Sequence, residues 1–364
     1  MRRKGFQSTI AIYLLSPFLT IGCLAQIAVS SDSAGPSPTN IFTNFDVAGA
    51  EDTNPVCINA NGEVAGFYQT STPPHGHGFL RLAGGGLTTF DVPNATSTEP
   101  TAINSAGRII GSYGDAQYNF HGFSRASSGK FGYFDAPGAL WTLPSAINDT
   151  GQIVGGYTLC SGCQLAGGFL RDSSGTIITF APPGAVSTAA DGINSTGVIV
   201  GSYWDGIVNH GYLRDQFGNF TTFDVPGDGQ NPGQGTVATA INDAGFITGF
   251  YHDSSGAFHG FVRDPLGNFS TFDAPQVGTR SSQGTMPLSI NNKGQIIGWY
   301  ESSKDVYRGF LRESTGVITA FIDPDASSLR YEGTLPLSMN GTTIVGYYSD
   351  TNNFGHGFLL NREH

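Results

Sequence analysis

The chain has 364 residues, of which 12% are charged, with 52 glycines and a formal net charge of −11 at pH 7. It has no basic cluster that could follow a phosphate backbone, so the composition argues against a nucleic-acid-binding protein. The 26 phenylalanines and 14 tyrosines, together with the many glycines, favour an all-β fold over a helical one.

The first 25 residues have the three parts of an export signal. A basic MRRK precedes the apolar run IAIYLLSPFLTIG, which is too short to span a bilayer, and the small-residue site CLA follows. We expect cleavage after Ala25, which would remove three basic residues and leave a net charge of −14 on a secreted or periplasmic protein. The run LTIGC also resembles a lipoprotein signal, which would put a lipid on Cys23.

Residues 26–40 are small, polar and proline-containing, and we interpret them as a flexible linker. Residues 41–364 contain no apolar run long enough for a membrane helix. We expect this region to be one domain, built of repeats and monomeric.

Internal repetition is the strongest signal after the linker. A glycine before an aromatic residue, in motifs such as HGF, recurs seven times at intervals of 43–49 residues. Each copy holds four short segments rich in β-branched and aromatic residues, such as DGIN, VIVGSYW, HGYLRD and FTTFDVP. The repeated glycines are Gly78, Gly122, Gly168, Gly211, Gly260, Gly309 and Gly357.

The turns between these segments indicate antiparallel hairpins, whose strands we name a, b, c and d. In residues 241–246 and 214–219, glycine takes the left-handed position of a three-residue loop. Strand b is apolar on successive residues, so both its faces should be buried. A glycine within strand b should let neighbouring units approach closely. Four-stranded sheets covered on both faces by like sheets are typical of a β-propeller.

The two ends of the repeat region complement each other. HGFLLNREH supplies a seventh strand c with no strand d after it, and residues 41–49 supply a strand d with no other strand before it. Joined, they would complete the last sheet and cover edges that otherwise invite aggregation. The sequence therefore predicts a seven-bladed β-propeller of four-stranded antiparallel blades, closed by the N-terminal strand.

A histidine before the repeated glycine recurs with an aspartate fourteen positions later, after strand d. With the three-residue loop in place, Arg214 pairs with Phe220, so His210 falls opposite Asp224. Both members are missing together from the third and sixth copies. The pairs are His77 with Asp91, His121 with Asp135, His210 with Asp224, His259 with Asp273 and, after closure, His356 with Asp46.

Five equivalent pairs, each far from the axis, cannot share one active site or one zinc ion. We therefore predict a structural role for them. Each pair should be a partly buried, charge-assisted hydrogen bond that links strands c and d.

Other recurring positions also fit a scaffold. The asparagine after strand a should cap its turn. Arginines beside the c–d turn should pack their stems on aromatic rings. Cys160 and Cys163 should form a small loop disulfide. The sequence has no D-x-D-x-D loop of the kind that binds calcium, so no metal site is predicted. No cofactor is expected either. The aspartates of a Y-x-D motif should form Asx turns, at Asp115, Asp205, Asp253 and Asp350.

The pattern AIN-xx-G-x-IVG-x-Y, followed by HGFLR-xx-G-x-FTTFD-x-PGA, resembles the bacterial extracellular repeat family named for its His-Ala-Phe tripeptide, the HAF repeat. The resemblance covers residues 41–362. This chain has Gly for Ala in the tripeptide, Arg for Trp after HGFL, and FDVPG for the family's DLG run. The resemblance implies a secreted, repeat-built protein and brings no biochemical activity with it.

Function is expected on one face of the propeller. The a–b and c–d turns are short and uniform, whereas the b–c and d–a loops on the other face vary, which is typical of binding surfaces. Aromatic residues there could stack on a neutral or cationic ligand, such as an extracellular glycan or envelope protein, or could merely cover the blade tops. They are Trp141, Trp204, Tyr118, Tyr307, Tyr331 and Phe354.

The alternative class is a polysaccharide-acting hydrolase or lyase with its site in the central funnel. Glycosidases need two carboxylates about 5–9.5 Å apart. Asp191 is the one acidic residue that we place on an innermost strand, so it is the single catalytic candidate. We therefore predict a non-catalytic binding or scaffold module.

Overall fold

The computed structural model describes residues 40–73 and 76–362. The expected signal peptide, the possible lipidation at Cys23 and the linker up to residue 39 lie outside the described residues. The described residues form 28 β-strands and no helix, so the all-β prediction is confirmed. They include no helix that is long and apolar enough to cross a membrane.

The strands follow the sequence repeats, and strand β1 (Asn40–Phe45) precedes them. Unit 1 contains β2 (Asp52–Ile58), β3 (Val64–Gln69), β4 (Gly76–Arg81) and β5 (Leu87–Phe90). Unit 2 contains β6 (Ser97–Ile103), β7 (Ile109–Gly114), β8 (Phe120–Arg125) and β9 (Phe131–Phe134). Unit 3 contains β10 (Trp141–Ile147), β11 (Ile153–Thr158), β12 (Gly167–Arg171) and β13 (Ile177–Phe180).

The later repeats have the same order of strands. Unit 4 contains β14 (Ser187–Ile193), β15 (Ile199–Trp204), β16 (Asn209–Arg214) and β17 (Phe220–Phe223). Unit 5 contains β18 (Thr236–Ile241), β19 (Ile247–His252), β20 (Phe258–Arg263) and β21 (Phe269–Phe272). Unit 6 contains β22 (Thr285–Ile290), β23 (Ile296–Glu301), β24 (Tyr307–Arg312) and β25 (Ile318–Phe321). The final unit contains β26 (Thr334–Asn340), β27 (Thr343–Ser349) and β28 (Gly355–Arg362).

Within each unit neighbouring strands are antiparallel, and the turns set their register. Gly218 and Gly245 have φ angles of 95° and 82°, the left-handed conformation that a three-residue hairpin loop requires. Arg214 lies opposite Phe220 in the hairpin of β16 and β17, so the predicted register is confirmed.

Hydrogen bonding divides the strands into six sheets, five of four strands and one of eight. The eight-stranded sheet joins units 1 and 2 through a single parallel bridge between Gly76 and Ser97. Parallel bridges at equivalent places, such as Tyr307 with Gly333, link later units outside the regular strands. The seven sequence repeats therefore form only six sheets, because the bridge between Gly76 and Ser97 lies within regular strands and joins the sheets of units 1 and 2.

The N-terminal strand belongs to the last sheet. β1 pairs antiparallel with β28, and the sheet order is β1-β28-β27-β26. Val345 of β27 and Val64 of β3 are fully buried members of one apolar cluster, so the final unit packs on unit 1.

The core consists of apolar layers between successive units. Ile109 and Ile110 of β7 are both fully buried. Ile109 belongs to a cluster with Ala65 of unit 1, whereas Ile110 belongs to a cluster with Phe169 of unit 3. Both faces of this strand b are therefore covered by neighbouring units, as its apolar sequence predicted.

Two kinds of polar contact also link successive units. Nδ2 of Asn148 donates to the carbonyl oxygen of Asn194 in the next unit, while its Oδ1 accepts the N–H of Gln152 and caps the turn as predicted. The guanidinium of Arg214 lies over the ring of Phe180 of the preceding unit, at 4.9 Å. Equivalent asparagine bonds are donated by Asn59, Asn104, Asn194, Asn242 and Asn340, and the last of these reaches Asn59.

The glycine in strand b has a different role from the one predicted. A Cβ on Gly155 would collide with the carbonyl oxygen of Leu143 and with Phe169, which belong to the same unit. Strand a has a β-bulge after Pro144, and bulges bend a strand locally. The prediction that this glycine serves the approach of neighbouring units is therefore wrong. Carbonyl oxygens of strand a approach the equivalent glycines in the same way, at Gly66, Gly111, Gly201, Gly249, Gly298 and Gly346.

Candidate binding face

The b–c loops and the d–a loops lie at the same ends of the strands, and we name this surface the binding face. The predicted aromatic residues are all found there. Trp141 begins β10, Trp204 ends β15, Tyr307 begins β24, and Tyr118, Tyr331 and Phe354 lie in loops.

The structure brings some of these aromatic residues together and packs others away. The ring of Tyr307 lies 6.5 Å from that of Tyr331 and 5.1 Å from that of Trp299, a residue that the sequence analysis did not select. Trp141 is only partly exposed, because its ring meets Phe120 edge-on at 5.6 Å and its indole N–H is buried. Trp141 therefore covers the space between units 2 and 3, as the alternative interpretation expected.

Tyr118 and Tyr331 differ from the other aromatic residues in their backbone. They are 73% and 53% exposed, and their φ angles of 61° and 63° are left-handed. In two other b–c turns the position of Tyr118 is taken by Gly256 and Asn353, which are suited to this conformation. A tyrosine there costs about 1–2 kcal/mol. The exposed ring of Tyr118 gains little packing in return.

Asp305 holds the loop of Tyr331 in place. Its carboxylate accepts hydrogen bonds from Arg280, Arg330 and Gln283. Its carbonyl oxygen accepts the N–H of Tyr331, whose ring lies 4.7 Å below the guanidinium of Arg330. The Tyr331 ring is therefore preorganised at the surface.

The histidine–aspartate pairs lie towards the rim of the binding face. Nδ1 of His210 lies 2.9 Å from Oδ1 of Asp224. The other four pairs have the same contact at 3.0 Å, and they are His77 with Asp91, His121 with Asp135, His259 with Asp273, and His356 with Asp46.

The aspartates of these pairs are more exposed than the sequence analysis predicted. The histidine side chains are 14–26% exposed, whereas those of the aspartates are 43–51% exposed. Each aspartate directly follows strand d, the outermost strand of its sheet, and no further strand of the described residues lies outside it. The prediction of partial burial is therefore wrong for the aspartates, which are Asp46, Asp91, Asp135, Asp224 and Asp273.

Each of four histidines has further partners that the sequence analysis missed. Oδ1 of Asp205 accepts the N–H groups of Ile207 and Val208, as expected of an Asx turn. Its Oδ2 lies 3.4 Å from Nε2 of His210, whose ring stacks on Tyr203 at 4.9 Å. The imidazole therefore lies between two carboxylates and against a phenol ring. The same arrangement surrounds His259 and His356, and His121 also lies between two carboxylates but meets a tilted Tyr113 ring.

These carboxylates favour the charged form of the histidine. Partial burial lowers the pKa of His210, but the hydrogen bonds and charges of Asp224 and Asp205 outweigh this effect and raise the pKa. The pKa of Asp205 is lowered by the N–H groups of Val208 and Ile207 and by His210. The raised pKa favours the charge-assisted form of the pair, which is complete at low pH and is lost as pH rises through the raised value.

His210→Ala should lower the free energy of unfolding by about 1 kcal/mol at about pH 5.5 and by less at about pH 8.5. The loss is modest because solvent reaches the carboxylate of Asp224 and screens the pair. A raised folded-state pKa gives stability that is fully present below the unfolded value of 6.5 and is lost as pH rises through the folded value. Chemical denaturation at both pH values, in a double-mutant cycle with Asp224→Asn, measures the interaction free energy between His210 and Asp224. Equal losses at the two pH values would contradict the charged pair.

The acidic residues of the innermost strands are more numerous than predicted. β6 contains Glu99 and β2 begins at Asp52, so the prediction that Asp191 is the one acidic residue there is wrong. Burial raises the pKa of Asp191 to about 7, partly opposed by the N–H of Ser202. No group of three or more histidine, cysteine or acidic residues able to hold a metal ion is present in residues 40–73 and 76–362.

The cysteines of the described residues have different states. Cys160 and Cys163 form a disulfide in the b–c loop of unit 3. Cys57 is free and buried, and burial raises the pKa of its thiol to about 12. A protonated, enclosed thiol of this kind is unreactive.

Known structures define the class of fold. The β-propeller domain of the Trilobed protease from Pyrococcus furiosus is similar over 88% of this chain and 96% of that domain, with a TM-score of 0.61 and 10% identity. A puromycin hydrolase is similar over 85% of this chain, with a TM-score of 0.54 and 13% identity. The Pyrococcus horikoshii acylaminoacyl peptidase is similar over 87% of this chain, with a TM-score of 0.52 and 10% identity. This chain spans about half the length of those two enzymes (52% and 54%).

The fold is therefore a β-propeller. No family model and no curated protein sequence matches the chain. At such low identities the likeness concerns the fold alone, and function has to be argued from the residues of the binding face.

Proposed function

We propose that the protein is a secreted, non-catalytic binding or scaffold module, and that its units form a closed, seven-bladed ring related to the HAF-repeat proteins. Three contacts support closure. β1 pairs with β28, Asn340 donates to Asn59 at 2.6 Å, and the guanidinium of Arg81 lies 5.1 Å from the ring centre of Phe45. The second and third of these contacts are of the same kinds as the contacts that link successive units elsewhere in the chain.

The observation that carries the binding function is the backbone of Tyr118. A tyrosine that is 73% exposed in a left-handed conformation has a cost without a matching gain in packing. Tyr331 repeats the feature on a loop held by Asp305. Strained, exposed aromatic rings on a rigid scaffold are suited to stacking on a ligand. A glycan or an envelope protein is the ligand class we propose.

Tyr118→Asn should stabilise the fold and weaken binding. Asparagine tolerates the left-handed conformation, so the free energy of unfolding should rise by about 0.5–1 kcal/mol. Loss of the ring should remove a stacking contact. Thermal melts and binding to the ligand found by a glycan array or an envelope pull-down measure both effects.

Phe217→Ala is the matched control, because Phe217 is 81% exposed in a c–d turn at the opposite end of the strands. It should leave ligand binding unchanged. Binding that survives Tyr118→Asn combined with Tyr331→Ala would contradict the assignment of the site. Hydrolysis or cleavage of a tested polysaccharide would instead favour the alternative, a hydrolase or lyase with Asp191 in the central funnel.

A further inference from the structure

Three basic side chains lie close together on the binding face at unit 6. Arg280 belongs to the d–a loop that follows unit 5, Lys304 to the b–c loop of unit 6, and Arg330 to the d–a loop that follows unit 6. All three residues are exposed. The chain as a whole is acidic, with a formal net charge of −11, so such a group stands out on its surface. We name it the basic corner and define it by Arg280, Lys304 and Arg330.

One buried carboxylate fixes the two arginines of the basic corner. Oδ1 of Asp305 accepts a hydrogen bond from Nη2 of Arg280 at 2.5 Å, and Oδ2 accepts one from Nε of Arg330 at 2.7 Å. The side chain of Asp305 is 12% exposed, whereas those of the two arginines are 60% and 62% exposed. Because both guanidinium groups bind the same carboxylate, they are held near each other at the surface.

The two arginines retain hydrogen-bond donors for a ligand. Among the described residues, Nη1 of Arg280 and both Nη atoms of Arg330 make no hydrogen bond. Guanidinium donors match the planar geometry of a carboxylate. Side chains that are already held in place lose less conformational entropy when a ligand binds. The arginine pair is therefore preorganised for an anionic group.

The acidic residues beside the basic corner lie beneath its surface. Asp305 is 8% exposed and Glu301 is 6% exposed. Burial and the charge of Asp305 raise the pKa of Glu301 to about 7, partly opposed by Arg280 and Arg330, so this carboxyl is mostly protonated below that pH. Glu332 is partly buried and its Oε2 is enclosed. The charges that face solvent here are therefore mainly positive.

Aromatic rings border the basic corner. The guanidinium of Arg330 lies 4.7 Å from the ring centre of Tyr331, which is 53% exposed. The ring of Tyr307 lies 6.5 Å from that of Tyr331. Tyrosine combines an apolar ring with a polar hydroxyl, which suits it to binding surfaces. The basic corner therefore presents cationic donors next to an exposed aromatic surface.

We propose that the basic corner binds the carboxylate of a uronic acid residue in an extracellular glycan, with Arg280 and Arg330 pairing with the carboxylate and Tyr331 packing against the sugar ring. The inference rests on the proposed binding function and names the ligand class for one part of the same face. A uronic acid carries its carboxylate directly on a rigid ring, so a single residue can meet the arginines and the tyrosine together. A glutamate or aspartate side chain has a flexible stem and no ring to pack on Tyr331, and so an acidic glycan fits better than an acidic peptide.

The test compares two probes that differ only in esterification, a galacturonic acid trisaccharide and its methyl ester, by isothermal titration calorimetry on the full-length protein. We expect the acid form to bind and the neutral ester to bind about tenfold more weakly or less tightly still. Added salt should weaken binding of the acid form and leave that of the ester unchanged. Arg280→Gln combined with Arg330→Gln should reduce the affinity for the acid form to that for the ester. Lys304→Gln leaves the contacts of Asp305 intact and should lower the affinity for the acid form by a smaller factor.

Lys130→Gln is the matched control, because it removes one positive charge from an exposed residue of a c–d turn, at the opposite ends of the strands. It should leave both affinities unchanged. Equal binding of acid and ester, or a ratio of the two affinities that the arginine and lysine substitutions at the basic corner leave unchanged, would overturn the proposal. Tighter binding of a polyglutamate peptide than of the acid trisaccharide would overturn the assignment to a glycan.

The two proposals fail in different ways. If neither trisaccharide binds, while another ligand binds and is lost on Tyr118→Asn, the assignment of the basic corner is wrong and the binding face stands. If the acid form binds through Arg280 and Arg330 but no ligand depends on Tyr118, the basic corner stands and the role assigned to Tyr118 is wrong.

Discussion

A chain that begins at Glu51 should lose most of its stability, whereas a chain that begins at Asn40 should keep it. Deletion of residues 40–50 removes β1 and leaves the edge of β28 unpaired. It also removes the ring of Phe42, which packs edge-on against Phe358 at 5.6 Å, and that of Phe45, which meets Phe79 at 6.1 Å. Both rings are only partly buried, and a fully buried phenylalanine is worth about 3–5 kcal/mol, so their joint loss should cost roughly 3–5 kcal/mol.

Urea denaturation of the two truncated chains measures this loss. The chain that begins at Glu51 should also aggregate, and a synthetic peptide of residues 40–50 added in trans should restore part of its stability. Equal midpoints for the two chains would contradict the role of β1 in completing the final unit.

Gly155→Ala should be among the most damaging single substitutions in the protein. Its Cβ would collide with the carbonyl oxygen of Leu143, which is backbone and is fixed by the bulge in strand a, and with the buried ring of Phe169. The carbonyl oxygen cannot move without disturbing the pairing of strands a and b, and the Phe169 ring is fully buried on strand c. We expect a loss of more than about 3 kcal/mol, or failure to fold.

Gly86→Ala, in a c–d turn, serves as the control. Its Cβ would be unobstructed, so this substitution should change the free energy of unfolding by less than about 0.5 kcal/mol. Thermal or urea denaturation of both variants gives the comparison. A Gly155→Ala protein as stable as the control would show that the bulge can relax, and would restore packing between units as the reason for the glycine.

The sequence predicted those features that depend on local rules. The three-residue loop and the two-residue period of a strand place His210 beside Asp224, as the structure has them. It did not predict that Oδ2 of Asp205 approaches the same imidazole. That contact depends on how the b–c loop folds back, and an Asx turn fixes only one carboxylate oxygen.

The exposure of the paired aspartates was predicted wrongly for a related reason. The spacing of fourteen residues gives the partner of each histidine, but it does not show what lies beyond strand d. Asp91 and Asp135 are both 46% exposed, Asp273 is 43% exposed and Asp46 is 51% exposed, because each lies at the outer edge of its sheet.

Contacts between distant parts of the chain were harder to foresee. The hydrogen bond from the N–H of Gly355 to Asp52 joins the ends of the repeat region, because the two residues are separated by 303 positions. Their relation requires the packing of the final unit on unit 1. The bulge after Pro144 was also missed, because a register shift within strand a leaves its apolar pattern readable as a regular strand.

The central claim is that the histidine–aspartate pairs are scaffold and that the loop aromatic residues bind the ligand. The most direct measurement compares His210→Ala with Tyr118→Asn in one set of melting and ligand-binding experiments. The account predicts opposite patterns: His210→Ala lowers the melting temperature and leaves binding intact, whereas Tyr118→Asn raises the melting temperature and weakens binding. Loss of binding on His210→Ala with unchanged stability would contradict it and would make the pairs the functional site.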